Sequence, residues 1–405
     1  MDFANCLLIV LSMTCNFTET SFMYSSIMDL LAEPIWRKFW YPVAFQEDLA
    51  TGPLARTVLA TQLVIWADSN NEPCAAIDRC PHRDARLSGG WTCEGRIVCP
   101  YHGWEYGTDG RVQVVPQTPE IHSFPSRFAL DTVYAATRYG VVWVCLDEPV
   151  RSIPELPDGS ADGWRTVREF DEEWATTAPR LMENSFDPAH TVFVHRATFG
   201  DTSRPDVDVP TIERTPYGLV ARNNLSVANP ESARVVTGEP ESEVTVRSSK
   251  TEFHAPFLRM LQSTYPGGKV HQIITAATPV DNSRLRLIQW AVRNDTEVES
   301  PAADIVAFDR RVTWEDQALL EGIWAPYSEE LAANVHIKVD KPTVEIRRIY
   351  KEIRQGIWAG LSESEPAKSK FLSVASSLNS QTDTVPTQLS PQEASSFTMV
   401  SLRSD

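Results

Sequence analysis

The chain has 405 residues, of which 42% are apolar and 22% charged, enough for two ordinary domains with buried cores and too apolar for a disordered polymer. A formal net charge of −17 opposes binding to nucleic acid or to anionic membrane surfaces. Seven cysteines without framework spacing argue against a disulfide scaffold and for a reducing, cytoplasmic compartment.

Residues 1–35 read as a weakly ordered N-terminal extension. The apolar run from Cys6 to Leu11 is short and no Lys or Arg precedes Arg37. A signal peptide needs a positive start and a membrane span about 20 apolar residues, and neither pattern is met. Met28 offers an alternative start. From Trp36 to about residue 150, short β-type runs at 56–60, 62–66, 75–78, 96–99, 112–115 and 141–146 alternate with turn signals such as Gly89-Gly90 and Thr108-Asp109-Gly110.

Within this segment stand two clips, Cys80-Pro81-His82 and, sixteen residues on, Cys99-Pro100-Tyr101-His102. Each holds one thiol and one imidazole. Zinc sites of the same composition usually place both cysteines in one clip and both histidines in the other. Mixed clips instead suit a [2Fe–2S] cluster of the Rieske type, in which two histidines replace two thiolates on one iron. Neutral imidazoles in place of anionic sulfurs raise the potential to roughly −150 to +300 mV, against about −400 mV for plant-type clusters. Trp104 and Tyr106 follow the second clip and are expected to cover the cluster from water.

A Pro-rich link, 153–159, leads to the pattern N-x-x-D-x-x-H-x4-H: Asn184, Asp187, His190 and His195. Asp187 is expected to cap a helix with Pro188 in its first turn. On one helix Asp187 and His190 share a face. His190 and His195 are five apart, so they reach one ion only if the helix ends, kinks or bulges between them. Strands are expected at 219–222, 243–247, 252–255, 272–279 and 285–292, carrying Phe253, His254, Phe257, Met260, Gln289 and Trp290 as core or cavity residues. A long helix over 304–324 shows an apolar stripe of Ile305, Phe308, Val312, Leu319 and Ile323. Asp316 fills the one remaining slot on that stripe, with Glu315 rotated off it and Glu321 near its edge. A buried carboxylate is costly unless paired or metal-bound, so Asp316 is either salt-bridged or the third member of a two-histidine, one-carboxylate seat for non-haem Fe(II). A charged helix is expected over 335–355, and 362–405 reads as a disordered tail rich in Ser, Thr, Gln and Pro.

Together these motifs resemble the catalytic α subunits of Rieske non-haem iron oxygenases, over nearly the whole stretch from Trp36 to about Gly356. The resemblance rests on C-P-H-R at Cys80–Arg83, C-P-Y-H-G-W at Cys99–Trp104, the run from Glu183 to His195, the Glu315-Asp316 pair and the opening F-W-Y-P-V-A from Phe39. Asp84 departs from it, where relatives carry a small residue. It implies an α+β chain with an all-β [2Fe–2S] domain over 36–150 and a helix-grip catalytic domain over 151–361, built on an antiparallel sheet and a long helix. Cys80, His82, Cys99 and His102 would hold the cluster, and His190, His195 and Asp316 a mononuclear Fe(II). Asp187 would bridge His190 to His102 of a neighbouring subunit in a homotrimer. The implied activity is O2-dependent hydroxylation or demethylation of a small organic substrate. No G-x-G-x-x-G fingerprint is visible, so NAD(P)H would act through a separate reductase, with or without a ferredoxin. The competing readings are a cis-dihydroxylating dioxygenase, a Rieske electron carrier and a zinc-stabilised ligand-binding module.

Overall fold

The computed structural model of the chain describes residues 27–239 and 241–362. Most of the proposed N-terminal extension and nearly all of the proposed tail lie outside the described residues. The part of the extension that is described is packed: Met28 and Leu30 are buried, and their backbone N–H groups donate to Tyr327 O at 3.0 Å and Asn282 Oδ1 at 2.9 Å.

The N-terminal half is all β. One sheet pairs β1 (Tyr41–Phe45), β10 (Val141–Cys145) and β9 (Tyr134–Arg138); a second pairs β2 (Leu54–Val58), β3 (Thr61–Ala67) and β4 (Pro73–Ile77). A third holds β5 (Trp91–Cys93), β6 (Arg96–Val98), β7 (Glu105–Tyr106) and β8 (Val112–Val114). The strands expected from the β-type runs are present, with ends shifted by a residue or two. β1, β5, β7 and β9 escaped the sequence reading; β5 and β7 are too short to show a period.

The second half is built on one antiparallel sheet in the order β11 (Arg165–Trp174), β17 (Leu285–Arg293), β16 (Val270–Pro279), β15 (Leu258–Thr264), β14 (Val244–His254), β13 (Gly218–Ala228) and β12 (Thr211–Thr215). Side chains alternate between its faces. Met260, Ile274, Ile288 and Trp290 point one way and pack on Phe45, Val141 and Trp143 of the N-terminal sheet. Ser249, Thr251, Ile273, Thr275 and Gln289 point the other way and border a cavity. That polar face explains a difference from expectation. The stretches 243–247 and 252–255 belong to one strand, β14, whose buried Ser249 and Thr251 look like a loop in sequence because they line the cavity.

Four described helices longer than one turn lie on the cavity side, α1 (Ala178–Phe186), α2 (His190–Val194), α3 (Ala302–Glu321) and α4 (Lys341–Arg354), and a single turn at Arg234–Thr237 also borders the cavity. Helix α3 starts near the expected position, but its apolar stripe holds only for the first half. Ile305 and Phe308 are buried and Val312 is partly so, while Leu319 and Ile323 are 44% and 39% exposed. The buried line passes instead through Thr313 and Leu320, and Asp316 stays beside it. Helix α4 buries Ile346, Ile349, Tyr350 and Ile353 in the core that also takes in Trp36, Phe39 and Phe253.

Of the cavity candidates, Gln289 alone borders the cavity beneath α3. Phe253 packs edge-on against Phe186 and Tyr350. His254 and Phe257 face a separate hollow beside β1, and Met260 and Trp290 occupy the opposite sheet face.

Glu183 ties α1 to α4. It accepts from Tyr327 O–H at 2.7 Å and from Arg347 at 2.5 and 3.0 Å, with Arg347 buried. Removing the acid strands a buried guanidinium, which costs on the order of 3 kcal/mol. Glu183→Ala should lower the thermal midpoint accordingly, with partial recovery in Glu183→Ala/Arg347→Met; a midpoint equal to wild type would show that the pair carries no stability.

Candidate active site

The two clips are built alike. Cys80 follows β4, and its N–H donates to Ala85 O at 2.8 Å while its carbonyl accepts from Asp84 N at 2.9 Å. Cys99 follows β6, and its N–H donates to Trp104 O at 2.9 Å while its carbonyl accepts from Gly103 N at 3.0 Å. Asp84 and Gly103 are therefore equivalent, and both are left-handed, with φ of 57° and 71°. Asp tolerates that region better than most side chains. Its carboxylate points outward toward Arg79 at 3.6 Å, so the unusual residue at this position meets a backbone requirement and stays clear of the thiols.

Both cysteines are 1% exposed. Burial pushes the Cys99 thiol up, against backbone N–H groups of Tyr101 and His102 that favour the thiolate. Tyr106 Oη lies 3.1 Å from Cys80 Sγ. The His82 and His102 rings sit 4.5 Å apart, and Trp104 stacks on His82 at 4.4 Å and on Phe128 at 5.4 Å. The Nδ1 atoms of both histidines are buried with no hydrogen-bond partner among the described residues. Two thiols and two orphaned imidazole nitrogens form the donor set a Rieske cluster requires. Trp104 and Tyr106 are both buried beside these side chains.

The second centre lies at a double break in the chain. Thr177 caps α1 by accepting from Arg180 N, and the helix stops at Phe186 with Asp187 as its C-cap. Asp187 and His190 thus do not share a helix. The Asp187 carboxylate accepts from Ala189 N at 2.8 Å, and it is the backbone carbonyl of Asp187 that meets Nδ1 of His190. His190 opens α2; His195 terminates it at φ −91°, ψ 23°, and its carbonyl accepts from the N–H groups of Thr198, Phe199 and Gly200. The helix therefore ends between the two histidines, which is the condition their five-residue spacing imposes.

This break turns both rings toward Asp316 on α3. Nε2 of His190 and Nε2 of His195 are each 3.5 Å from Asp316 Oδ1, and one donor atom from each residue lies within 4.8 Å of the others. Burial holds His195 below the ordinary imidazole range, which keeps it neutral and able to donate a lone pair. Two lone pairs facing a carboxylate match the facial seat of a non-haem Fe(II).

Three supports were not assigned from sequence. Glu315 Oε2 is 2.9 Å from His195 Nδ1 and accepts from Thr198 Oγ1 at 2.8 Å. Asn184 Nδ2 donates to Asp316 Oδ1 at 2.9 Å. The Glu315-Asp316 adjacency was the available signal: neighbouring helix positions differ by about 100°, so one acid can face the ion while the other braces a histidine from the side.

A second trio, Glu169, His271 and Asp309, lies nearby with donor atoms also within 4.8 Å. Burial and then Asp309 push Glu169 well above the usual carboxylate range. Burial opposes ionisation of Asp309 too, but His271, 3.2 Å away, with Glu169 and Arg293, holds it down. Glu169, driven toward its protonated form beside an ionised Asp309 with Arg293 as countercharge, gives the cavity a polar floor. Gln289 extends it by donating to Glu169 at 2.7 Å and accepting from Thr275 at 2.8 Å. The cavity of about 130 Å³ between floor and histidines suits a small organic molecule.

Comparison with known proteins agrees with this geometry. Residues 39–125 match the Rieske [2Fe–2S] domain, and 174–355 match the vanillate O-demethylase oxygenase C-terminal domain. The chain is 30% identical over 329 residues to methylxanthine N1-demethylase of Pseudomonas putida, covering 79% of this chain and 89% of the relative. The solved structure of that enzyme with caffeine aligns at a TM-score of 0.68 and 27% identity, over 83% of this chain and 98% of the other. Dicamba monooxygenase bound to dicamba shares the fold, with a TM-score of 0.67 at 20% identity, over 79% and 97%.

Glu315→Ala removes the acceptor at His195 Nδ1 and should weaken Fe(II) binding by the trio about 10- to 100-fold. Anaerobic Fe(II) titration reads this directly; an unchanged affinity would detach Glu315 from the metal seat.

Proposed function

Because this chain belongs to the Rieske non-haem iron oxygenases, we propose that it is a demethylating or hydroxylating terminal oxygenase, with Cys80, His82, Cys99 and His102 holding the cluster and His190, His195 and Asp316 the mononuclear iron. The observation that carries this reading is the convergence of two imidazole nitrogens and one carboxylate oxygen at a cavity edge. The bound groups supply single-electron storage at the cluster and O2 activation at the ferrous ion.

The protein's own residues do the rest. Tyr106 and the backbone amides at Tyr101 and His102 hydrogen-bond the cysteine sulfurs, and such bonds help set a cluster's potential. Glu315 and the carbonyl of Asp187 fix which nitrogen each histidine offers. The polar floor and the apolar wall of Phe199, Phe308 and Ile273 bind and orient the substrate. With two electrons from the reductase and two protons, one oxygen atom of O2 would enter a C–H bond and the other leave as water; at a methyl group on nitrogen or oxygen, the hydroxymethyl product would collapse to release formaldehyde. The demethylase relatives favour that outcome over cis-dihydroxylation.

Asp187 borders the same cavity. Its proposed role is to couple His190 to His102 of a neighbouring subunit in a homotrimer, with electrons delivered by a separate reductase. The free thiols of Cys74, Cys93 and Cys145 suit a reducing setting such as the cytoplasm. No described helix is long and apolar enough to cross a membrane.

Two variants test the assignment. Asp316→Ala should lose the mononuclear iron while the visible absorption of the cluster survives; full iron content would remove Asp316 from the ligand set. Asp187→Asn should keep both metal centres yet slow substrate-dependent reoxidation of the reduced cluster about 10- to 100-fold. Wild-type reoxidation would leave no coupling role for Asp187.

A further inference from the structure

Two arginines on the cavity face lack a direct ion-pair partner among the described residues. Arg247 on β14 and Arg259 on β15 both border the cavity that also reaches His190, His195 and Asp316. Arg259 Nη2 donates to Thr275 Oγ1 at 2.9 Å, and its Nε has no partner. Arg247 meets the Tyr265 hydroxyl and lies 5.0 Å from the centre of the Phe199 ring, and its Nε is also unpartnered. Neither forms an ion pair among the described residues. Arg293, deeper in the same region, is by contrast matched by Asp295.

The carboxylates bordering the cavity are already engaged. Asp316 faces the two histidines and Asn184, Asp309 faces His271, and Asp187 accepts from Ala189 N. Burial presses both guanidiniums down, Arg259 to about 10, partly offset there by Asp316. Both nonetheless stay charged at neutral pH. A half-buried charge without an ion-pair partner is costly, and two near each other cost more. An ion in the histidine seat offsets the Asp316 charge, the largest of the carboxylate contributions that help Arg259, so the demand for an anion grows when the site is loaded.

We propose that Arg247 and Arg259 form the recognition site for a carboxylate on the substrate, so that the molecule oxidised here is a small organic acid. The carboxylate sits between the guanidiniums, and Arg recognises it through paired N–H donors. The apolar body lies against Phe199, Leu261 and Ile273. The carbon to be oxidised then faces His190, His195 and Asp316. This assignment rests on the oxygenase reading for its catalytic meaning, but binding alone tests it.

The test is calorimetric titration of the full-length holoenzyme with benzoate, phenylacetate, 4-methoxybenzoate and indole-3-acetate, each beside its primary amide. At least one acid should bind about tenfold or more tightly than its amide. Arg247→Gln and Arg259→Gln should each abolish that preference, and Arg259→Lys should keep part of it. Cluster absorption, iron content and thermal midpoint establish that each variant is folded and loaded. Amides binding as tightly as acids, no acid binding at all, or a preference that persists in both Gln variants would overturn the proposal. Normal iron content without acid preference leaves the oxygenase standing and this inference fallen; acid preference in a chain that fails to load mononuclear iron supports the arginine site and sinks the oxygenase assignment instead.

Discussion

Asp316 Oδ1 stands 3.5 Å from Nε2 of both His190 and His195, an arrangement that the lone pairs involved would drive apart unless a cation lay among them. Holding it together takes work from every nearby element. The α1–α2 break turns the histidines inward, the carbonyl of His195 is tied down by three N–H groups, and α3 carries both Asp316 and the Glu315 brace. Glu183 in turn locks α1 to α4 through Arg347, so the acid at the start of the motif stabilises the platform and stays out of the chemistry.

The same demand shapes the sheet. A seven-stranded antiparallel sheet with both faces buried would normally read as near-continuous apolar strands. Here one face supplies the core against the N-terminal domain and the other presents hydroxyls, amides and charges to the cavity. The Arg259–Thr275–Gln289–Glu169 hydrogen-bond chain crosses adjacent strands in register, Thr275 standing opposite both Arg259 and Gln289. Such a network fixes each member's orientation before any ligand arrives, which lowers the ordering cost of binding.

Legibility in the sequence followed from how local each constraint is. The clips announce themselves because four donors fall within a few dozen residues of chain, and the His190/His195 pair because its spacing admits only an interrupted helix. Asp316 was found through a stripe whose second half fails: Leu319 and Ile323 face outward because the buried line of α3 follows Thr313 and Leu320. Glu315, Asn184 and the Glu169–His271–Asp309 floor escaped because their roles depend on partners from about 40 to 140 residues away. Strand β14 was divided in two for the same reason: polar residues in a strand look like a loop unless the cavity they face is known.

Asp84 shows how a departure from family pattern can be read physically. Matching hydrogen bonds in the two clips place it where Gly103 stands in the other, so the position calls for a left-handed backbone, which Asp can supply. Charge can be read the same way at larger scale. A chain of net charge −17 repels small anions at long range, and salt screens that field beyond about 8 Å at physiological ionic strength. Within the cavity the three bordering carboxylates are already engaged, and Arg247 and Arg259 supply the positive charge left without an ion-pair partner. An acid that reaches the cavity therefore meets attraction where it is strongest, and the acidic exterior bears on how fast it arrives more than on how long it stays.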